Sequence, residues 1–211
     1  MENVEILIVG QGLAGTWLGW CLHKAGLSFK IVDQFNKDSA SMRAAGLINP
    51  VTGRRHVTTW MIDELMPFAM HSYQELGAFL NKNFIRETSV IDLFPGVQML
   101  QAFQKRYEED PHYLFIGGDR EKYADWFGYD FGWGSIKPCF LVQVEKLIIS
   151  WREWLVRNSL LTDELFDISQ LREMDEGIQY SDIHASYIIF CDGRSSVQNP
   201  YFEKLPFALN K

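Results

Sequence analysis

The chain is poor in the features that mark several large functional classes. Its three cysteines, Cys21, Cys139 and Cys191, lie far apart, leave one unpaired in any disulfide scheme and include no CxxC pair. A disulfide scaffold is excluded, and a reducing cytoplasm is the expected compartment. Positive charge is also short: 20 Lys plus Arg stand against 27 Asp plus Glu. That balance argues against phosphate backbones or anionic lipid as general partners, so no nucleic-acid function is expected. The five histidines, at positions 23, 56, 71, 112 and 184, have no partners at metal-ligand spacing, and no metal is expected. There is no GxSxG and no Cys-His arrangement, which removes support for hydrolase chemistry. The first 22 residues are largely apolar, but Glu2 and Glu5 stand where a signal peptide carries positive charge, and His23 and Lys24 interrupt before a membrane span is complete. No internal repeat or low-complexity linker appears.

What is present is apolar and aromatic. With 47% hydrophobic and 14% aromatic residues in 211, the chain can bury a substantial core, as one large or two small domains. The stretch "VEILIVGQGLAGTWLGWCLHKAGLSFKIVDQ", Val4 to Gln34, reads as strand, turn, helix, strand. Ile6 to Val9 suits a strand buried on both faces, Leu13 to Ala25 a helix closed by Gly26, and Phe29 to Val32 a second strand. Gly10 permits the tight turn, Gly12 opens the backbone to a pyrophosphate, and Gly15 lets helix and strand pack closely. Leu13 and Ala14 complete the turn, whose helix N-terminus offers unpaired N–H groups to an anion. Asp33, with Gln34 beside it, follows Gly15 by 18 positions, where a carboxylate accepts hydrogen bonds from ribose hydroxyls. The acid favours FAD or NAD over NADP without separating the first two.

Farther along, "SASMRAAGLINPVTGRRHVTTW", Ser39 to Trp60, offers Ser39 or Ser41 as an N-cap, a short helix through Ala45, then an extended Leu47 to Asn49 before Pro50. Its small residues would let a flat ring lie against backbone. Near the end, "ASYIIFCDGRSSVQNPYFEKLPF" carries a hydrophobic strand, Tyr187 to Cys191, running into Asp192–Gly193. The same dipeptide is also a common turn.

On these motifs the chain resembles the FAD-dependent oxidoreductases of the D-amino acid oxidase and glycine oxidase superfamily. The resemblance implies that Ser41, Arg43, Ala45, Gly46 and Leu47 bring main chain to the pyrophosphate and isoalloxazine. It also implies that Cys191, Asp192 and Gly193 close over the cofactor where the family has Ala-Thr-Gly. The departure at Cys-Asp-Gly is similar to the Asp-Gly motif of aromatic-ring flavin monooxygenases, which use NADPH. The implied fold is α/β, a Rossmann-like FAD-binding domain of three layers, with a central parallel sheet and a β-meander, plus part of an inserted α+β substrate domain. The implied domains are 1–84 with 139–198 for FAD, 85–138 for the insertion, and 199–211 as the start of a C-terminal continuation. The resemblance thus implies the N-terminal portion of a longer flavoprotein. Its implied activity takes a hydride equivalent from a carbon bearing an amine to flavin N5, on a small amine or amino acid substrate. A flavin monooxygenase or reductase using NADPH, and a dinucleotide-binding module without turnover, are the alternatives.

Between the anchors, Thr59 to Leu80 approximates helical spacing through Trp60, Leu65, Phe68, Ala69, Tyr73, Leu76 and Leu80, with Pro67 a kink or start point. Ile85 to Phe94 and Tyr113 to Ile116 read as strands, Gly96 to Tyr107 as a short helix, and Val142 to Val156 as an amphipathic helix with Val144, Leu147, Ile148, Trp151 and Leu155 on one face. A hairpin is expected around Asp175–Gly177. No catalytic residue is assigned. Arg54, Arg55 and His56 are candidates for an anion near the flavin, although a basic run is commonly a solvated face. Tyr129 and Trp133 are candidates of the same kind, although aromatics more often pack a core.

Overall fold

The computed structural model describes residues 1–53 and 55–207. Along the chain come β1 (Glu2–Val9), α1 (Leu13–Ala25), β2 (Phe29–Val32), and three two-residue strands, β3 (Leu47–Ile48), β4 (Val51–Thr52) and β5 (Val57–Thr58). Then follow α2 (Ile62–Phe79), β6 (Ile85–Leu93), α3 (Val97–Glu109), β7 (Leu114–Ile116) and β8 (Trp133–Val142). The remainder holds α4 (Val144–Arg157), β9 (Leu161–Thr162), β10 (Leu171–Glu173), β11 (Ile178–Tyr180) and β12 (Ile183–Phe190), with 3-10 turns at Gly193–Gln198 and Pro200–Phe202. The chain divides into two compact units, 1–44 with the segment from Val144 onward, and Ala45–Gln143.

The first unit is an α/β layer structure on a six-stranded sheet of order β10-β11-β12-β1-β2-β9. Four neighbouring strands, β12, β1, β2 and β9, run parallel, while β10, β11 and β12 form an antiparallel meander. Parallel strands covered on both faces favour apolar runs, and Phe29, Ile31 and Val32 of β2 are buried, as are Leu7, Ile8 and Val9 of β1; Lys30, also buried, donates to Glu2 Oε2 at 2.6 Å. Helix α1 occupies the segment read from the sequence and ends at Gly26 with a left-handed φ of 71°. A Cβ on Gly19 would lie 3.3 Å from Ile31 and 3.4 Å from Trp151, so this glycine sits where α1 meets both β2 and α4. On α4, Leu147, Trp151 and Leu155 are fully buried. The meander contributes Ile178, Tyr180, Ile183 and Ala185 to a buried cluster with Leu7 and Val32.

The second unit is built on β8, which pairs antiparallel with β6 along its length, with β7 at Gly134–Ile136 and with β3 at Phe140–Leu141. Strands β4 and β5 form a separate hairpin. Phe103 of α3 is fully buried against Gly134, where an added Cβ would stand 2.4 Å from its ring.

Three local expectations change. The segment 39–45 is not a helix but a succession of turns, in which Met42 N–H donates to the Ser39 hydroxyl at 3.4 Å. A helix this short cannot recover its nucleation cost alone, and Ser41 is used elsewhere, as described below. Helix α2 buries Ile62, Met66, Tyr73, Leu76 and Gly77, whereas Trp60, Leu65 and Phe68 are exposed. Pro67 lies inside α2 rather than starting it. The units divide at Ala44/Ala45 and Gln143/Val144, where the sequence reading placed boundaries at 84/85 and 138/139. Pairing of Leu47–Ile48 with β8 and packing of α2 on β6 join residues 45–84 to the second unit.

Candidate functional site

Register assembles the site in the first unit. Val9 of β1 stands opposite Phe190 of β12 and Val32 of β2, so the three strands end level. The next residues continue the ladder: Cys191 N–H donates to Val9 O at 2.7 Å, Gly10 N–H to Val32 O at 2.9 Å, and Asp33 N–H to Thr162 O at 3.1 Å. Cys191, Gly10, Asp33 and Asp163 therefore stand in a row at the carboxyl ends of β12, β1, β2 and β9, the edge at which open α/β sheets bind ligands.

The three glycines have different physical reasons. Gly10 has φ +96°, and a Cβ there would meet Cys191 O at 2.5 Å. A Cβ on Gly15 would lie 1.9 Å from Gly10 O, so only glycine lets α1 start this close to the strand end. Gly12 is the N-cap of α1 with φ −74° and ψ −161°, a conformation open to other residues. Its one close neighbour is the Ser41 hydroxyl, 3.0 Å from where a Cβ would stand, a side-chain contact rather than backbone.

Ser41 Oγ accepts the Leu13 N–H at 3.0 Å, satisfying one donor of the helix first turn from 28 residues away. The neighbouring first-turn positions, Ala14 and Gly15, present N–H groups that an α-helix cannot satisfy internally. The Asp33 carboxylate accepts the Gln11 N–H at 2.9 Å through Oδ1 and Arg152 Nη1 at 2.6 Å through Oδ2. Gln34 is exposed, and Arg43 is exposed in an ion pair with Asp38. The Asp192 carboxylate accepts the Ser196 hydroxyl, and Gly193, with φ +55°, opens the following 3-10 turn. Burial first, and then the neighbouring Asp192 charge, push the Cys191 thiol above its ordinary pKa, which keeps it protonated at neutral pH.

The structure thus brings together Gly10, Gly12, Leu13, Ala14, Gly15, Asp33, Ser41, Cys191 and Asp192 within one unit. Ala45, Gly46 and Leu47 belong to the second, where Gly46 O accepts the Val142 N–H at 2.8 Å and Leu47 pairs with Leu141. Sequence reading missed Gln11, Arg152 and Asp163. A signal existed for Arg152: it interrupts the apolar stripe of α4 between Ile148 and Leu155 at helical spacing, yet is buried.

Of the other candidates, His56, Tyr129 and Trp133 have local partners. Arg54 lies outside the described residues, and Arg55 is exposed. His56 is buried, with φ +51°, its Nε2 2.5 Å from Asp92 Oδ2 and its ring edge-on to Phe103 at 4.9 Å. This contact ties the turn between β4 and β5 to β6. The Tyr129 hydroxyl accepts the Tyr123 N–H at 2.8 Å, and Trp133 Nε1 donates to Asp119 O at 2.6 Å, so both hold the loop before β8. His56→Ala is expected to strip a hydrogen bond from the partly buried Asp92 and cost about 2–3 kcal/mol, lowering the melting temperature by roughly 5–10 °C. Thermal unfolding by circular dichroism checks this; an unchanged transition would mean that the pair holds nothing.

Among the described residues, no group of three or more His, Cys, Asp or Glu side chains is placed to hold a metal ion, and no helix is long and apolar enough to cross a membrane.

Comparison with solved structures finds the same fold at low identity. L-amino acid deaminase from Proteus vulgaris is 16% identical with a TM-score of 0.69, over 94% of this chain and 50% of that one. Glycine oxidase from Geobacillus kaustophilus is 15% identical with a TM-score of 0.71, over 93% and 57%. L-proline dehydrogenase from P. horikoshii is 12% identical with a TM-score of 0.69, over 99% and 58%. The chain spans about half the length of these structures. The DAO family model, described as FAD dependent oxidoreductase, matches residues 5–158, which include the glycine turn, Asp33 and α4. With that family model matching most of its length, the chain belongs to the DAO family of FAD-dependent oxidoreductases.

Proposed function

We propose that the first unit, 1–44 with the segment from Val144, holds FAD, and that the whole protein oxidises a small amine or amino acid. The observation that carries the cofactor reading is the level ending of β12, β1 and β2, which sets Cys191, Gly10 and Asp33 side by side at the start of α1. The residues present fit the group. Glycine at position 12 is not demanded by its own backbone angles, so the bare Cα leaves room for a close ligand. The α1 N-terminus offers N–H groups and the positive end of the helix dipole to a pyrophosphate. Asp33 keeps carboxylate lone pairs for ribose hydroxyls, and its charge disfavours a phosphorylated ribose. Asp192 and Gly193 close the cradle beside Cys191.

FAD, when bound, supplies the two-electron acceptor for substrate oxidation. This chain's residues bind and orient it, and the unit Ala45–Gln143 is read as the substrate side. The substrate class is supported by the names of the solved structures that share the fold, a deaminase and an oxidase of amino acids and a proline dehydrogenase.

The test is the visible absorption spectrum of the purified chain after incubation with excess FAD and desalting. Retained flavin bands are expected, bleached anaerobically by an amino acid or amine in the whole protein and not by NADPH. A chain left colourless after the same treatment would overturn the cofactor reading, and bleaching by NADPH alone would turn the assignment to a monooxygenase or reductase.

A further inference from the structure

A buried guanidinium stands behind the acid assigned to the ribose. Arg152, on α4, is 9% exposed, and its planar fork is almost fully committed within the chain. Nη1 donates to Asp33 Oδ2 at 2.6 Å and to Gln11 Oε1 at 3.3 Å; Nη2 donates to Asp33 O at 3.0 Å and to Asp163 Oδ1 at 2.8 Å. The Phe35 ring lies under Cζ at 5.5 Å. A guanidinium carries five N–H donors, so four of Arg152's are occupied and only Nε–H is left. It is therefore poorly placed to be a ligand of anything else. Asp33 is in the opposite position: an ionised carboxylate has about four lone-pair sites, and Gln11 N–H and Arg152 take two. Two remain, the number that a pair of vicinal hydroxyls requires.

We propose that Arg152 is a positioning residue for the adenosine half of the cofactor: it fixes the Asp33 carboxylate in the orientation that receives the ribose hydroxyls, and Asp163 braces it from the far side. The inference rests on the cofactor reading above. It assigns a role in binding to α4, which returns to the first unit only after the second has been traversed, 119 residues beyond Asp33. Without the guanidinium, Asp33 would lose its orienting donor on Oδ2 and its only cation at contact distance among the described residues. Lysine offers a point charge on a flexible stem in place of the rigid fork, so it restores the charge without the full geometry.

The experiment compares FAD with its analogue carrying 2′-deoxyribose on the adenosine side, by flavin fluorescence titration of the full chain and of Arg152→Met, Arg152→Lys and Asp163→Asn. The wild-type chain is expected to prefer FAD by roughly 10-fold, the worth of one charge-assisted hydrogen bond. In Arg152→Met, FAD affinity is expected to fall roughly 10- to 50-fold and the preference to shrink to about 2-fold or less. Arg152→Lys is expected to recover part of both, and Asp163→Asn to reduce the preference without abolishing it. A merely structural role would weaken both ligands equally and leave the ratio intact, which overturns the proposal. If Arg152→Met does not fold, an unchanged ratio in both the Lys and Asn variants overturns it. A wild-type chain that retains no FAD sinks the cofactor reading itself, and a wild type that binds FAD without preferring it over the deoxy analogue sinks only the ribose role of Asp33 and Arg152.

Discussion

Gly15→Ala is expected to unfold the first unit or leave it barely stable, although alanine is the better helix former. Helix propensity alone would favour the change by about 1 kcal/mol. Against that, the new methyl would sit 1.9 Å from Gly10 O, and the atom it meets is backbone. Neither partner can yield cheaply. Gly10 is itself pinned, with its N–H on Val32 O and Cys191 O only 2.5 Å from where its Cβ would stand, so moving it shifts the ends of β1, β2 and β12 together. Overpacking of this kind costs about 3 kcal/mol or more, and a backbone clash belongs at the upper end. The expected result is a chain recovered mainly as aggregate, or one whose melting temperature falls by more than about 10 °C. A soluble variant that melts with the wild type would show that α1 does not start this close to the strand.

Gly12→Val is expected to do the reverse: keep the fold and lose the cofactor. The N-cap angles of φ −74° and ψ −161° are open to valine, and the nearest neighbour of an added Cβ is a serine hydroxyl rather than backbone. The loss of stability should be no more than about 1 kcal/mol, from a poorer N-cap residue and the tight Ser41 contact. The branched side chain would, however, fill the space in front of the α1 N-terminus where a pyrophosphate is expected. FAD affinity should drop at least roughly 100-fold, equivalent to about 2.7 kcal/mol. Fluorescence titration against FAD, with circular dichroism as the control for folding, measures both effects. A folded Gly12→Val chain that binds FAD as tightly as wild type would remove the pyrophosphate from this turn.

The two variants show which parts of the site could be read from sequence. Glycine spacing, the buried run before it and the acid after it are local, and each acts through its nearest neighbours along the chain. Helix α1 and strand β2 were therefore legible to the residue, and β1 at its carboxyl end, although it begins at Glu2 rather than Ile6. The meander was legible for the same reason, since Gly177, with φ +88° and Ala185 O at 2.3 Å from its would-be Cβ, makes a short-range turn. Segment 39–45 misled because its serines fit an N-cap, while the structure assigns the Ser41 hydroxyl to the first turn of another helix. The exposed Trp60, Leu65 and Phe68 misled because apolar spacing reports which residues share a face, not which face meets the core.

By itself, then, the sequence determined the strand–turn–helix–strand cradle and the family of FAD-dependent oxidoreductases to which the chain belongs. Hydrophobic periodicity and backbone sterics act over a few residues and are written directly in residue order. Only the tertiary structure decided that β12 ends level with β1, that residues 45–84 join the second unit, that His56 is occupied by Asp92, and that Arg152 meets Asp33. Those outcomes depend on strand register and on pairs of polar groups from distant segments that must find each other once water is excluded.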